Sequence, residues 1–330
     1  MSRKPAPSSD TPREQRNVPQ DRSCGGATGA FTVDLEEWFH AHNLRIAEED
    51  WAALSSRVTQ PVEQILELLQ DHGVRGTFFV LGWLARRQPA LVRRIHAAGH
   101  EIASHGFAHR SIQTQARREF FEDISAAKAL LEDLVGERVL GYRAPSYSIT
   151  PSTSWALDEI EGAGYAYDSS IYPARLPGLR YGWRGARLVS HPLRPALWEF
   201  PLPVMKVGPL RIPVLTGAYL RLWPLSVSLL ALRSHARAGR PAILNVHPWE
   251  LDAAQPRRPL SLLRRIRHYA RLHQTRSRLE QLLSVARFLP LCDHLHQQTV
   301  VRTAPSAELI PACLEDSVFA FNEASDSVHP

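Results

Sequence analysis

One apolar run of this sequence closes on carboxylates and another closes on histidines. The first is Phe31-Thr-Val-Asp34-Leu-Glu36-Glu37-Trp38; the second is Glu101-Ile-Ala-Ser-His105-Gly-Phe-Ala-His109. Two imidazoles, a carboxylate to complete a metal site and a spare carboxylate to act as base are the parts of a hydrolytic zinc centre. The i, i+4 spacing of His105 and His109 puts both rings on one side of a helical turn, and Gly106 permits a sharp change of direction where the run ends. In an extended segment Asp34 and Glu36 face one side and Glu37 the other, so Asp34 and Glu36 can converge. A charge at the end of a buried run is costly without a partner, and a metal or a guanidinium would supply one to Asp34.

Three more reactive residues end apolar runs. Arg143 follows Val-Leu-Gly-Tyr and precedes Ala-Pro-Ser-Tyr; there it can pair with a base carboxylate and hold it ionised, or serve as an ordinary structural ion pair. His247 follows Ile-Leu-Asn-Val and precedes Pro248-Trp249-Glu250. A strand-end histidine with an acidic orienter can act as a general acid. Asp168, at the end of Tyr-Ala-Tyr, is the candidate orienter, although Asp168-Ser-Ser reads equally well as a turn. Nucleotide-binding glycine motifs and the GxSxG nucleophile elbow are absent. The basic stretch at 257–287 lacks the aromatic interleaving of nucleic-acid readers, so no nucleic-acid partner is expected.

The elements that must carry these residues alternate. Ala30–Asp34, Thr77–Leu81, Glu101–His105, Val139–Arg143, Tyr165–Asp168 and Ala242–His247 read as strands. Helical periodicity occupies Val62–Leu69, Pro89–Ala98, Gln115–Val135, Ser152–Glu161 and Leu225–Ala238, with Thr59 as an N-cap and Gly73, Gly99 and Gly136 as stops. Such alternation predicts parallel strands joined by right-handed crossovers. The reactive residues all end strands. In a barrel those ends meet around one axis, whereas in an open sheet they are strung along a line. The expected fold is therefore α/β, a (β/α) barrel over residues 30–250. Two Arg-rich helices, Pro256–Arg271 and Thr275–Phe288, form a helical C-terminal extension (251–304) packed on it. Residues 1–29 and 305–330 are polar, weakly periodic tails.

Composition sets the outer limits. With 330 residues and 44% hydrophobic residues the chain can bury a large core. Its net charge of +6 suits an acidic polymer or anionic surface, though solvated helix faces give the same count. Three cysteines (Cys24, Cys292 and Cys313) form no CxxC pair, which argues against a disulfide framework and against cysteine-ligated zinc. No apolar run approaches membrane-spanning length and no leader is visible, so the cytoplasm is the expected compartment.

In order along the chain, TVDLEEW, GTFFVLGWLA, GHEIASHGFAHRSI, GYRAPSYSIT, YDSSIYP and NVHPWELD resemble the motifs of carbohydrate esterase family 4, the polysaccharide deacetylases. The RRIRHYARL and RLEQLL segments are similar to the extension of the subgroup found with bacterial exopolysaccharide and exosortase genes. The resemblance covers roughly residues 30–300. It implies a distorted (β/α) barrel and metal-dependent N-deacetylation of a glycan, with zinc as the expected metal. By position, Asp34 matches the base, His105 and His109 the metal histidines, Arg143 the arginine paired with the base, His247 the general acid and Asp168 the acid that tunes it. Where many members carry adjacent aspartates, Leu35 follows Asp34 here. The third ligand is then Glu36 or Glu37, and strand alternation favours Glu36. Trp38, Pro145, Tyr147 and Trp249 are the expected substrate contacts, with Trp183 and Trp223 as further stacking candidates. Two other readings stand beside it: an amidase for small amides, and a catalytically silent glycan-binding protein of an export complex. The Arg-rich extension would suit the inner face of a membrane.

Overall fold

The computed structural model describes residues 28–174 and 181–303. The expected tails, with Cys24 and Cys313, lie outside the described residues, except that Thr28 and Gly29 already belong to the first strand. In chain order the strands are β1 (Thr28–Leu35), β2 (Thr77–Val80), β3 (Glu101–Ser104), β4 (Gly141–Tyr142), β5 (Tyr167–Asp168), β6 (His191–Pro192), β7 (Trp198–Glu199), β8 (Val204–Val207), β9 (Leu210–Pro213), β10 (Ile243–Val246) and β11 (Arg287–Leu289). The α-helices are α1 (Thr59–Asp71), α2 (Gly82–Arg87), α3 (Pro89–Ala97), α4 (Arg117–Val135), α5 (Ala156–Gly162), α6 (Gly217–Leu222), α7 (Leu225–Arg237), α8 (Leu262–Tyr269), α9 (Thr275–Leu283) and α10 (Leu291–Thr303).

One sheet runs in the order β10-β1-β2-β3-β4-β5-β7-β6, parallel throughout except for the β6–β7 pair. It curls like part of a barrel and, among the described residues, no strand pairing joins β10 to β6. The curl can be measured from one side chain. In a flat sheet β4 would lie about 14 Å from β1, three strand spacings away, beyond the reach of an arginine. Yet Arg143, just after β4, donates to Asp34 at the end of β1 at 2.8 Å. The inward faces must therefore close over a shared interior. Helices α1, α3, α4 and α7 cover the outside with aliphatic faces that merge with the strands' outward residues into one large core.

The C-terminal region departs from the expected pair of helices. The two expected helices shorten to Leu262–Tyr269 and Thr275–Leu283, Phe288, read as a helix end, lies in β11, and a third helix, α10, follows it. That strand takes the N-terminal part of β1, on which Thr28–Ala30 pair with Arg287–Leu289. Phe288 makes an edge contact with Phe31 at 6.5 Å. A Cβ on Gly29 would meet the Phe288 ring at 2.7 Å, so a glycine is required for this approach. Tertiary pairing here overrides the helical pattern. Among the described residues no helix is long and apolar enough to cross a membrane.

Candidate active site and metal-binding residues

Asp34, Glu36, His105, Arg143 and His247 sit at or just past the C-terminal ends of parallel strands, on one rim. Glu36, His105 and His109 converge there, each offering a ligand atom within 4.8 Å of the others. His109 Nε2 lies 2.7 Å from Glu36 Oε2. His105 gives its Nδ1–H to the Arg143 carbonyl at 2.8 Å, which fixes the tautomer and leaves Nε2 for a metal. The two histidines do not meet across a helical turn as the spacing suggested. The chain bends instead, with Gly106 at φ +74° and His109 at φ +52°. Asp123 holds that bend by accepting from the Phe107 and Ala108 amides at 2.7 and 3.2 Å.

Of the two glutamates, Glu36 faces the histidines. Glu37 points away and accepts from the Ser56 hydroxyl and the Arg57 amide. Glu36 Oε1 accepts from Trp249 Nε1 at 2.9 Å, so Oε2 is the oxygen free to bind a cation. Burial would raise the Glu36 pKa, but His109, together with His247 and His105, holds the carboxylate well below its ordinary range. Burial pushes His105 down to about 4, which keeps its ring neutral and able to ligate. One carboxylate oxygen and two imidazole nitrogens, one of them oriented by an outer partner, suit a divalent ion such as zinc and leave coordination positions open.

Asp34 stands beside this triad. Its Oδ1 accepts from Arg143 Nη1 at 2.8 Å and its Oδ2 from Asn245 Nδ2 at 3.0 Å, while His247 Nε2 lies 3.6 Å from Oδ2. Burial acts to raise its pKa, but Arg143, then His105 and His247, keep it lowered. Arg143 is wholly buried over the Phe79 ring. It also donates to the Thr32 hydroxyl, to Asn245 Oδ1 and to both the carbonyl and hydroxyl of Ser169, so each of its three nitrogens is engaged.

The carboxylate that orients His247 is Glu250, not Asp168. Glu250 Oε2 lies 3.1 Å from His247 Nδ1 and also accepts the His247 backbone amide. Its other oxygen takes Arg221 Nε at 2.7 Å. Burial opposes ionisation of Glu250, yet Arg221 and His247 bring it down to about 2. Burial likewise works against a charged His247, but Glu250, Glu36 and Asp34 together raise it to about 9. The signal was local. His247-Pro-Trp-Glu250 is a capping-box pattern with proline in the first turn, which puts the glutamate back over the histidine. Arg221 had no such signal, because its partner lies in another element.

Asp168 works below the rim. It accepts from the Ser170 hydroxyl and amide, and Ser170 Oγ in turn accepts the Ala144 amide. Its strand neighbour across β5–β7 is Glu199. Both acids are fully buried, and burial raises both pKa values, so the pair favours holding a shared proton. Asp168 thus shapes the serine segment that cradles Arg143.

The expected substrate contacts are corrected in part. Trp38 and Trp249 are buried, and their N–H groups are committed to Ser55 and Glu36. Trp249 lies stacked between His247 and His268 and is not free for a sugar. Pro145 is buried, and Tyr147 accepts from Asn245 at 2.7 Å beside the rim. Trp223 is tied to the Pro213 carbonyl, and Trp183 packs against the main core. A further histidine went unnoticed in the sequence. His40 is buried, accepts the Glu37 amide at Nδ1, and lies parallel to the His109 ring at 6.0 Å. Burial takes it down to about 3, so it is neutral.

Residues 54–167 match the family model described as polysaccharide deacetylase, and residues 169–296 match a domain of unknown function (DUF3473). The site draws on both segments: His105, His109 and Arg143 come from the first, His247 and Glu250 from the second, and Asp34 and Glu36 precede both. The chain is 27% identical over 139 residues to the peptidoglycan-N-acetylmuramic acid deacetylase PdaA of Bacillus subtilis, covering 36% of this chain and 52% of that protein. It is 35% identical over 82 residues to a chitooligosaccharide deacetylase of Azorhizobium caulinodans, covering 24% of this chain and 39% of that protein. The chain thus spans about half or less of these relatives. A solved structure of a candidate polysaccharide deacetylase from Mycobacterium smegmatis superposes with a TM-score of 0.56 at 20% identity, covering 88% of this chain and 96% of that one.

Proposed function

We propose, for a chain whose residues 54–167 belong to the polysaccharide deacetylase family, that it hydrolyses N-acetyl groups on the amino sugars of a polysaccharide and releases acetate. The observation that carries this reading is the placement of Asp34 between Arg143 and His247 on the rim that holds Glu36, His105 and His109. Glu36, His105 and His109 would hold the metal, for which we propose zinc; when bound it supplies Lewis-acid polarisation of the acetyl carbonyl and acidifies a water.

The chain's own residues do the rest. Asp34, kept ionised by Arg143, is the base that takes a proton from the attacking water. Its Oδ2 faces the rim and carries one hydrogen bond, from Asn245, which leaves a lone pair for that proton. His247, charged through Glu250, Glu36 and Asp34, gives its Nε2 proton to the departing amine, which would otherwise leave poorly. The products are acetate and a sugar amine that is cationic at neutral pH. Tyr147, which accepts from Asn245, and Pro145, which begins the short turn that carries it, are assigned to substrate positioning.

We assign the glycan to bacterial exopolysaccharide or its precursor, met at the inner membrane face. The Arg-rich stretch after residue 252 supports that placement. Acetate release from N-acetylated oligosaccharides, set against metal content, tests the activity. His105→Ala should lose both the metal and the activity. Full activity without a bound metal, or hydrolysis confined to small non-sugar amides, would overturn the proposal.

A further inference from the structure

The chain's densest run of arginine lies around α8. Between Asp252 and Glu280 there are eight arginines and neither Asp nor Glu. Several surface arginines elsewhere pair with acids: Arg94 with Glu63, Arg117 with Glu159, Arg118 with Glu122. Among the described ion pairs none involves Arg257, Arg258, Arg264 or Arg265. Beside these cations the helix turns apolar side chains to solvent. Leu262 is 64% exposed, Leu263 77% and Ile266 43%. Residues 262 and 266, like 263 and 266, share a helical face, so the three form one patch and not scattered singles.

The opposite face of α8 is fixed to the rest of the protein. His268 and Tyr269 are buried, and His268 stacks on Trp249 at 4.5 Å. The Arg267 and Ala270 carbonyls accept from the wholly buried Arg221, which in turn holds Glu250. The patch is therefore a rigid surface feature joined to the catalytic rim, and it is not a frayed end.

We propose that α8 is a membrane-docking helix that seats Leu262, Leu263 and Ile266 among the acyl chains of an anionic bilayer while the surrounding arginines meet the headgroups. This rests on, and deepens, the membrane placement given above. Apolar and cationic groups side by side are what an interfacial helix presents to acidic lipid. A second copy of the chain fits less well, because an isologous contact here would bring two unpaired arginine clusters together. Through Arg221 and Glu250, docking would set the rim at a fixed height over the surface, suited to a glycan carried on lipid.

The test is sedimentation of the full chain with vesicles of phosphatidylcholine alone or with about one third phosphatidylglycerol. The expected result is binding to the anionic vesicles at least about tenfold tighter than to neutral ones, weakened by salt. L262D/L263D should lose at least about tenfold of that binding. R258Q/R265Q should lose the preference for anionic lipid. Both variants should release acetate from a soluble oligosaccharide at the parent rate. Equal binding to both vesicle types, no binding to either, or binding unchanged in L262D/L263D would overturn the proposal. So would a concentration-dependent dimer abolished by L262D/L263D, or binding that emerges only after residues 304–330 are removed. Vesicle binding is read without acetate and acetate without vesicles, so failure of one is distinct from failure of the other.

Discussion

Two buried arginine–carboxylate pairs flank the same histidine and do different jobs. Arg143 and Asp34 join β4 to β1, and Arg221 and Glu250 join α6 to the turn after β10. Both arginines are wholly buried and both contacts are close to ideal, at 2.8 and 2.7 Å. The difference lies in the carboxylate oxygens that remain. Glu250 has none to spare: one oxygen serves Arg221, and the other serves the amide and ring of His247. Asp34 commits Oδ1 to Arg143 but turns Oδ2 toward the rim, 3.6 Å from His247. The same ion pair therefore leaves one carboxylate with an oxygen facing the rim, as the proposed base needs, and the other with none, as suits a positioning group.

That contrast can be broken from either side. The largest effect is expected for Asp34→Asn, which keeps the shape but removes the proton acceptor. Turnover should fall by about 10²–10⁴-fold, with metal content and circular dichroism unchanged. Next is Arg143→Met. It leaves Asp34 buried without its cation, so denaturant unfolding should show a loss of about 3–5 kcal/mol along with most of the activity.

Glu250→Gln should cut kcat by about 10–100-fold with little change in KM. The pH profile sharpens the reading. His247 must be protonated to donate, and its carboxylate neighbours raise it to about 9, so activity should be lost as pH rises toward that value. Removing the Glu250 charge should move this alkaline limb to lower pH. Stability has the opposite sign. Glu250 is depressed from 4.5 to about 2, so its contribution is present above about 4.5 and lost as pH falls toward 2. The glutamine variant should show a flatter acid limb in that window. The smallest effect is expected for Trp249→Phe, which removes the donor to Glu36. Zinc affinity, measured by competition with a chelator, should drop by about tenfold.

Much of the rim was legible because each residue closes an apolar run. Asp34, His105, Arg143 and His247 are charged or polar groups at strand ends, where burial makes an unpartnered group expensive. Alternation along an extended segment correctly placed Glu36, and not Glu37, toward the histidines. The errors were contacts between elements. Asp168 was paired with His247 because both end strands, but β5 sits next to β7, and its carboxyl turns to Ser170 and Glu199. Trp38 and Trp249 looked like sugar platforms, but the fold buries both rings. Phe288 followed a helical pattern until a free edge of β1 claimed it.

By itself the sequence determined which residue types end which strands, and with that the chemistry available at one rim. Period-two alternation and strand-end polarity are local properties, readable without knowing the neighbours. The tertiary structure alone decided how those ends are shared. The curl of the sheet lets one arginine span from β4 to β1. The packing of α6 and α8 brings Arg221 to Glu250 across 29 residues. A hydrogen bond between distant elements depends on strand order and on where the interior closes, and no local pattern encodes either.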